Sequence, residues 1–111
     1  MLRKFIGKGR RKRRSRKAPG SEQPAEFYDV AYREREGYRQ HYTKSVYYFL
    51  WCVIMDRLRG ATVSKMVDIG CGPGQFAALV RDTLEVDYCG IDFSSQAIEM
   101  ARRLCPDFTF R

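Results

Sequence analysis

The chain has 111 residues, 44% of them hydrophobic and 14% aromatic, which suits one small folded unit and excludes a wholly disordered polymer. Its net charge of +8 is unevenly spread: residues 1–17 contain ten Lys or Arg and no acid, whereas residues 18–111 hold eleven basic and thirteen acidic residues. A nucleic-acid-binding domain carries its positive charge on the folded part, and this chain does not.

Other classes fall away as cheaply. The longest unbroken apolar run, Val46–Met55, is ten residues, about half of what a bilayer crossing needs. The basic N-terminus lacks the apolar stretch of a secretory signal, which points to a cytoplasmic protein. Cys52, Cys71, Cys89 and Cys105 stand far apart with no CxxC pair, so neither a zinc site nor a disulfide framework is expected. The expectation is four reduced, mostly buried thiols and no metal.

Residues 1–26 read as a basic, disordered tail and linker, with Arg10–Arg14 as its densest run and Leu2, Phe5 and Ile6 in front of it. Such a run meets anionic membrane or nucleic-acid phosphates by charge, and the apolar trio adds a peripheral membrane contact. Residues 27–59 hold nine of the fifteen aromatic residues and read as a helical cap. A short helix is expected at about 28–36. A second follows, on which Val46, Phe49, Leu50, Val53, Ile54 and Leu58 share one face, with Thr43 or Ser45 capping its start and Gly60 ending it. Tyr47, Tyr48, Trp51 and Met55 make its other side apolar as well, so cover is expected on more than one side.

Residues 60–111 alternate strand, glycine turn and helix, the signature of an α/β unit. Strands are expected at 63–69 and 86–91, helices at about 75–84 and from Ser94 or Ser95 to Cys105-Pro106, and a third strand opens at Phe108. The first helix should bury Phe76, Ala77, Val80 and Leu84. The second should bury Ala97, Ile98, Ala101 and Leu104.

The chemistry concentrates where the first strand meets its helix, at Asp68-Ile69-Gly70-Cys71-Gly72-Pro73-Gly74. Glycines there permit positive φ and let a ligand touch bare backbone. The dinucleotide fingerprint G-x-G-x-x-G would need Gly or Ala where Gln75 stands, and Pro73 removes an N–H that a pyrophosphate would use. Asp92 closes the second strand, 22 residues after Gly70, where a carboxylate can hold both hydroxyls of a ribose. An NAD-binding oxidoreductase fragment and a non-catalytic binding protein tethered to RNA or membrane by its tail stand as the alternatives.

The run from Asp68 to Phe76 resembles motif I of the class I S-adenosylmethionine-dependent methyltransferases, and Gly90-Ile91-Asp92-Phe93-Ser94 with Ala97-Ile98-Glu99-Met100-Ala101 resembles their second motif. The resemblance spans about residues 60–111. It implies a Rossmann-like fold, truncated after about its third strand, preceded by aromatic-rich helices and the basic tail. It also implies S-adenosylmethionine as cofactor. Asp68 would contact its methionine end, Gly70, Cys71, Gly72 and Gly74 would border the amino-acid and ribose portion, Asp92 would hold the ribose, and Phe93 would lie on the adenine. The aromatic segment, including Tyr28, Tyr38, Tyr42 and Trp51, is similar to the helices that cover the cofactor in small-molecule methyltransferases. His41 lies within it, as a capping residue or a general base. A small-molecule or carbohydrate-like acceptor is implied. The loops after the third and fourth strands, which supply the acceptor side in that family, would lie beyond Arg111, leaving the first strand with an unpaired apolar edge.

Overall fold

The computed structural model describes residues 22–111. The basic run Arg10–Arg14 and its apolar neighbours lie outside the described residues. In chain order the elements are α1 (Ala25–Glu34), two 3₁₀ turns (Glu36–Tyr38 and Tyr42–Lys44), α2 (Tyr48–Arg59), β1 (Lys65–Ile69), α3 (Gln75–Thr83), β2 (Asp87–Ile91), α4 (Ser95–Leu104) and β3 (Thr109–Phe110).

The strands are parallel in the order β1-β2-β3, with Asp68 beside Gly90 and Gly90 beside Phe110. This is the opening of a Rossmann-like sheet. Right-handed crossovers put α3 and α4 on the same side of it, and their small residues allow close approach: Ala77, Ala78, Ala97 and Ala101 are all buried. Tyr88, Phe110, Val80 and Cys105 fill the space beneath, with Tyr88 stacked on Phe108 at 4.7 Å. Ser94 caps α4 by accepting from the Ala97 amide at 3.1 Å, and Cys105-Pro106 ends that helix as expected. Leu104 departs from expectation: its side chain stays exposed, although its carbonyl accepts from Arg81 of α3 at 2.7 Å.

Two departures concern the cap. The first helix starts at Ala25, inside the segment expected as linker, and closes at Glu34. On α2, the stripe from Val46 to Ile54 is the uncovered face: Val46 is 90% exposed, and Phe49, Leu50, Val53 and Ile54 are exposed as well. The docked side is Tyr48, Trp51, Met55 and Leu58, with Met55 fully buried and the Trp51 ring 5.8 Å from Phe76 of α3. Ser45 accepts from the Tyr47 amide at 3.2 Å, so it fixes the lead-in to the helix, and Gly60 ends it. The sheet face away from α3 and α4 is also open, with Ile69 84% exposed and Val67 exposed beside it. β1 lies at the sheet edge, as expected.

Candidate functional site

The turn after β1 owes its shape to three left-handed glycines, Gly70, Gly72 and Gly74. They have different neighbours. A Cβ on Gly70 would meet nothing within 4 Å, so that part of the turn is an open cradle. A Cβ on Gly74 would lie 2.9 Å from Cα of Ala101, so this glycine serves the packing of α3 on α4. Gly72 is roofed by the Tyr32 hydroxyl, 3.5 Å from where its Cβ would stand. Cys71 points inward, buried, its thiol directed to the Gly72 carbonyl; burial first, then Asp68 and Asp92, pushes it up to about 12. Its side chain is therefore an inert thiol beneath the turn, and only its backbone borders the cradle.

The first three amides of this turn are already engaged. Gly70 and Cys71 donate to the Ile91 carbonyl at 2.7 and 3.0 Å, and Gly72 donates to Asp92 Oδ2 at 2.9 Å. Pro73 has no N–H. Asp92 also accepts from the Ser94 amide through Oδ1 at 2.8 Å. Each of its oxygens thus carries one donor and keeps a lone pair for another.

Asp68, at the end of β1, faces the same region, half-buried. Burial raises its pKa above the ordinary carboxylate value, the Tyr88 hydroxyl pulls it back by donating at 2.6 Å, and Asp92 pushes it up again. Tyr88 itself is held well above the usual phenol range, by burial first and then by Asp68, so its hydroxyl remains a donor. Among the described residues the ion pairs are Arg81–Asp82 and Arg103–Glu99. Neither Asp68 nor Asp92 has a cationic partner among the described residues.

Phe93 is 63% exposed beside the turn, with the Tyr28 ring edge-on at 5.2 Å. The two rings line a cavity of about 400 Å³ with Glu22, Gln23 and Ala25. Tyr32 packs on Tyr38 at 4.7 Å, and burial, followed by Asp92, pushes its hydroxyl up to about 12. A larger cavity of about 550 Å³ lies elsewhere, between the 3₁₀ segment and the outer sides of α3 and α4. His41 lines that one. Its Nδ1 caps the 3₁₀ turn at Tyr42–Lys44 and bonds Thr43 Oγ1 at 2.9 Å, so it is a capping residue and not a base at the turn.

The structure thus gathers Asp68, the turn, Asp92 and Phe93. It adds three residues with no role in the motif reading. Tyr88 sits on the face of β2 shared with Gly90, which pairs with Asp68, and strand alternation carries that signal. Tyr32 and Asp29 come from α1, and no local pattern ties them to residues about 40 and 65 positions away.

Residues 66–111 match the sequence profile of the family described as a methyltransferase domain. An O-methyltransferase of Pyrenophora dematioidea is 38% identical over 50 residues, which is 45% of this chain and 19% of that protein. The chain therefore spans about a fifth of that relative's length. The solved structure of Streptomyces venezuelae DesVI aligns with 78% of this chain and 34% of its own, at 23% identity and a TM-score of 0.47.

Among the described residues, no helix is long and apolar enough to cross a membrane, and no group of His, Cys, Asp and Glu could hold a metal ion. All four cysteines are free thiols, Cys71 and Cys105 buried, Cys52 exposed.

Proposed function

We propose that this chain carries the methyl-donor side of an S-adenosylmethionine-dependent methyltransferase site. The observation that carries the reading is the charge of the cradle: Asp68 and Asp92 converge on the turn with no cation of the described residues between them, and the amides of Gly70, Cys71 and Gly72 are spent internally. Such a site repels a pyrophosphate and suits a ligand with an ammonium group, a sulfonium and two vicinal hydroxyls. That chemistry favours the adenosyl sulfonium over a dinucleotide.

The residues fit the group. Asp92 keeps one lone pair on each oxygen, enough for two ribose hydroxyls. Asp68, ionised, attracts the ammonium of the methionine end, and the Tyr88 hydroxyl fixes its rotamer. The open side of Gly70 lets the ligand touch backbone. Phe93 offers an exposed ring to a flat base. Tyr32 stands over the turn with Tyr28 and Tyr38 packed around it, and an aromatic face attracts a cation by roughly 0.5–2 kcal/mol.

When bound, the cofactor supplies a methyl group activated by a positively charged sulfur. The protein's part is to orient that group and keep water from it, and orientation of two reactants is worth about 7–11 kcal/mol. The acceptor we assign to a small hydroxylated molecule, carbohydrate-like ones included. The aromatic cap supports this, as does the name of the relative from Pyrenophora dematioidea.

Calorimetry on the 111-residue chain tests the reading, with S-adenosylmethionine, S-adenosylhomocysteine and NAD as ligands. Binding of the first two in preference to NAD is expected. Binding of NAD alone overturns the assignment.

A further inference from the structure

α1 has no fully buried residue and is ten residues long. Isolated helices shorter than about 12–15 residues are marginal in water, so something other than propensity or core burial must hold it. One polar anchor does this, and a second holds the segment that follows the helix. The Asp29 carboxylate accepts from the Ser94 hydroxyl and from the Gln96 amide at 3.2 Å. Gln75, 5% exposed, donates through Nε2 to the carbonyls of Gly37 at 3.0 Å and Gln40 at 2.8 Å.

Both anchors end on the cofactor loops. Ser94 caps α4 directly after Asp92, and its own amide is held by Asp92 at 2.8 Å, so one chain of hydrogen bonds runs from Asp29 through Ser94 to Asp92. Gln75 is the first residue of α3, directly after Gly74. The tyrosines sit beside these anchors in the chain: Tyr28 edge-on to Phe93, and Tyr32 over Gly72 and against Tyr38.

We infer that Asp29 and Gln75 are positioning residues that latch residues 25–40 as a lid over the glycine turn, so that closure of the lid and occupancy of the turn stabilise each other. The inference rests on the proposed cofactor site. A lid held by two polar anchors and ring contacts, without core burial, opens at small cost, and its grip registers in how slowly the ligand leaves. The two anchors act on different stretches. Asp29 holds α1, and Gln75 holds the loop that follows it.

Hydrogen exchange and S-adenosylhomocysteine binding on the 111-residue chain test this. Asp29→Ala is expected to speed amide exchange in residues 25–34 and to weaken binding about tenfold, about 1.4 kcal/mol, through faster dissociation with little change in association. Asp29→Asn keeps an acceptor oxygen and is expected to restore most of both. Gln75→Leu should loosen residues 36–40 first, giving an independent reading should Asp29→Ala lose cooperative melting. In the parent chain the ligand should slow exchange in residues 25–40. Unchanged exchange in both variants overturns the latch, as does Asp29→Ala binding within twofold of a parent that binds. A parent that binds no S-adenosylhomocysteine refutes the cofactor reading instead, and exchange in the ligand-free variants then still decides whether Asp29 holds α1.

Discussion

Gly70 and Gly74 lie four residues apart with almost the same backbone, φ 79 and 89, yet alanine should have opposite effects at the two positions. At either one, a Cβ in the left-handed region costs about 1–2 kcal/mol. At Gly70 that is the whole stability cost, because the new methyl points into open space. At Gly74 the methyl would stand 2.9 Å from Cα and 3.0 Å from Cβ of Ala101, a buried backbone contact that cannot swing away. Forcing α4 off α3 adds about 1–3 kcal/mol, so Gly74→Ala should lose roughly 2–5 kcal/mol in total. The 90 described residues are stabilised by roughly 4–13 kcal/mol, so this substitution approaches global unfolding and Gly70→Ala does not. Urea melts followed by Trp51, whose ring lies 5.8 Å from Phe76 on α3, measure the difference. Binding should rank the other way. Gly70→Ala places its methyl in the cradle and should weaken S-adenosylhomocysteine at least tenfold, about 1.4 kcal/mol, in a chain that still melts cooperatively. Equal destabilisation by both substitutions, or a Gly70→Ala chain that binds like the parent, would refute the division into a cradle glycine and a packing glycine.

Asp92→Ala should weaken S-adenosylhomocysteine by at least two orders of magnitude, since two hydrogen bonds to a charged acceptor contribute roughly 1.5–3 kcal/mol each; a threefold change or less in calorimetry marks Asp92 as a loop carboxylate only. Binding should also fade as pH falls through the Asp68 pKa, which lies above the ordinary 3.8, because the protonated acid no longer draws an ammonium; in Asp68→Asn that acidic limb should be absent. The same raised pKa means that the ionised form is disfavoured in the folded chain. Asp68→Asn should therefore raise the melting midpoint at pH 7 and leave it unchanged well below pH 3.8, where both states carry a protonated acid, and calorimetric scans in the two ranges check this. Deleting residues 1–20, which hold Arg10–Arg14, should abolish retention on heparin at low salt while cofactor binding persists; tight retention by the shortened chain would place a basic surface on the folded part.

What the sequence made legible was local. The turn, its glycines and both strand-end aspartates lie within 25 residues of one another, and strand alternation and capping rules place them without tertiary information. Ser94 as the cap of α4 and Cys105-Pro106 as its end are of the same kind. The division of labour among the glycines was not legible, because it depends on Ala101 arriving beside Gly74 and Tyr32 beside Gly72. Nor was the position of α1, which is fixed by a carboxylate 65 residues before its hydroxyl partner.

The stripe on α2 shows why periodicity alone misjudges burial. Val46, Phe49, Leu50, Val53 and Ile54 satisfy the helical repeat as well as any core face, and Tyr48, Trp51, Met55 and Leu58 satisfy it on the other side. When both sides of a helix are apolar, the pattern only says that both want cover. The neighbours present then choose, and here the available neighbours are the aromatic edge of α3 and the tyrosines of the 3₁₀ segment: Phe76 takes Trp51, and Tyr42 takes Tyr48 at 6.0 Å. Tyr42 is in turn fixed to α3 by donating to Asp82 at 3.0 Å, so the choice of face is locked through a polar contact that no hydrophobic pattern encodes. The same logic applies at the cradle. Its acidic character comes from two aspartates that the sequence already marked singly, and the fold adds that they face one turn with no cation among the described residues to neutralise them.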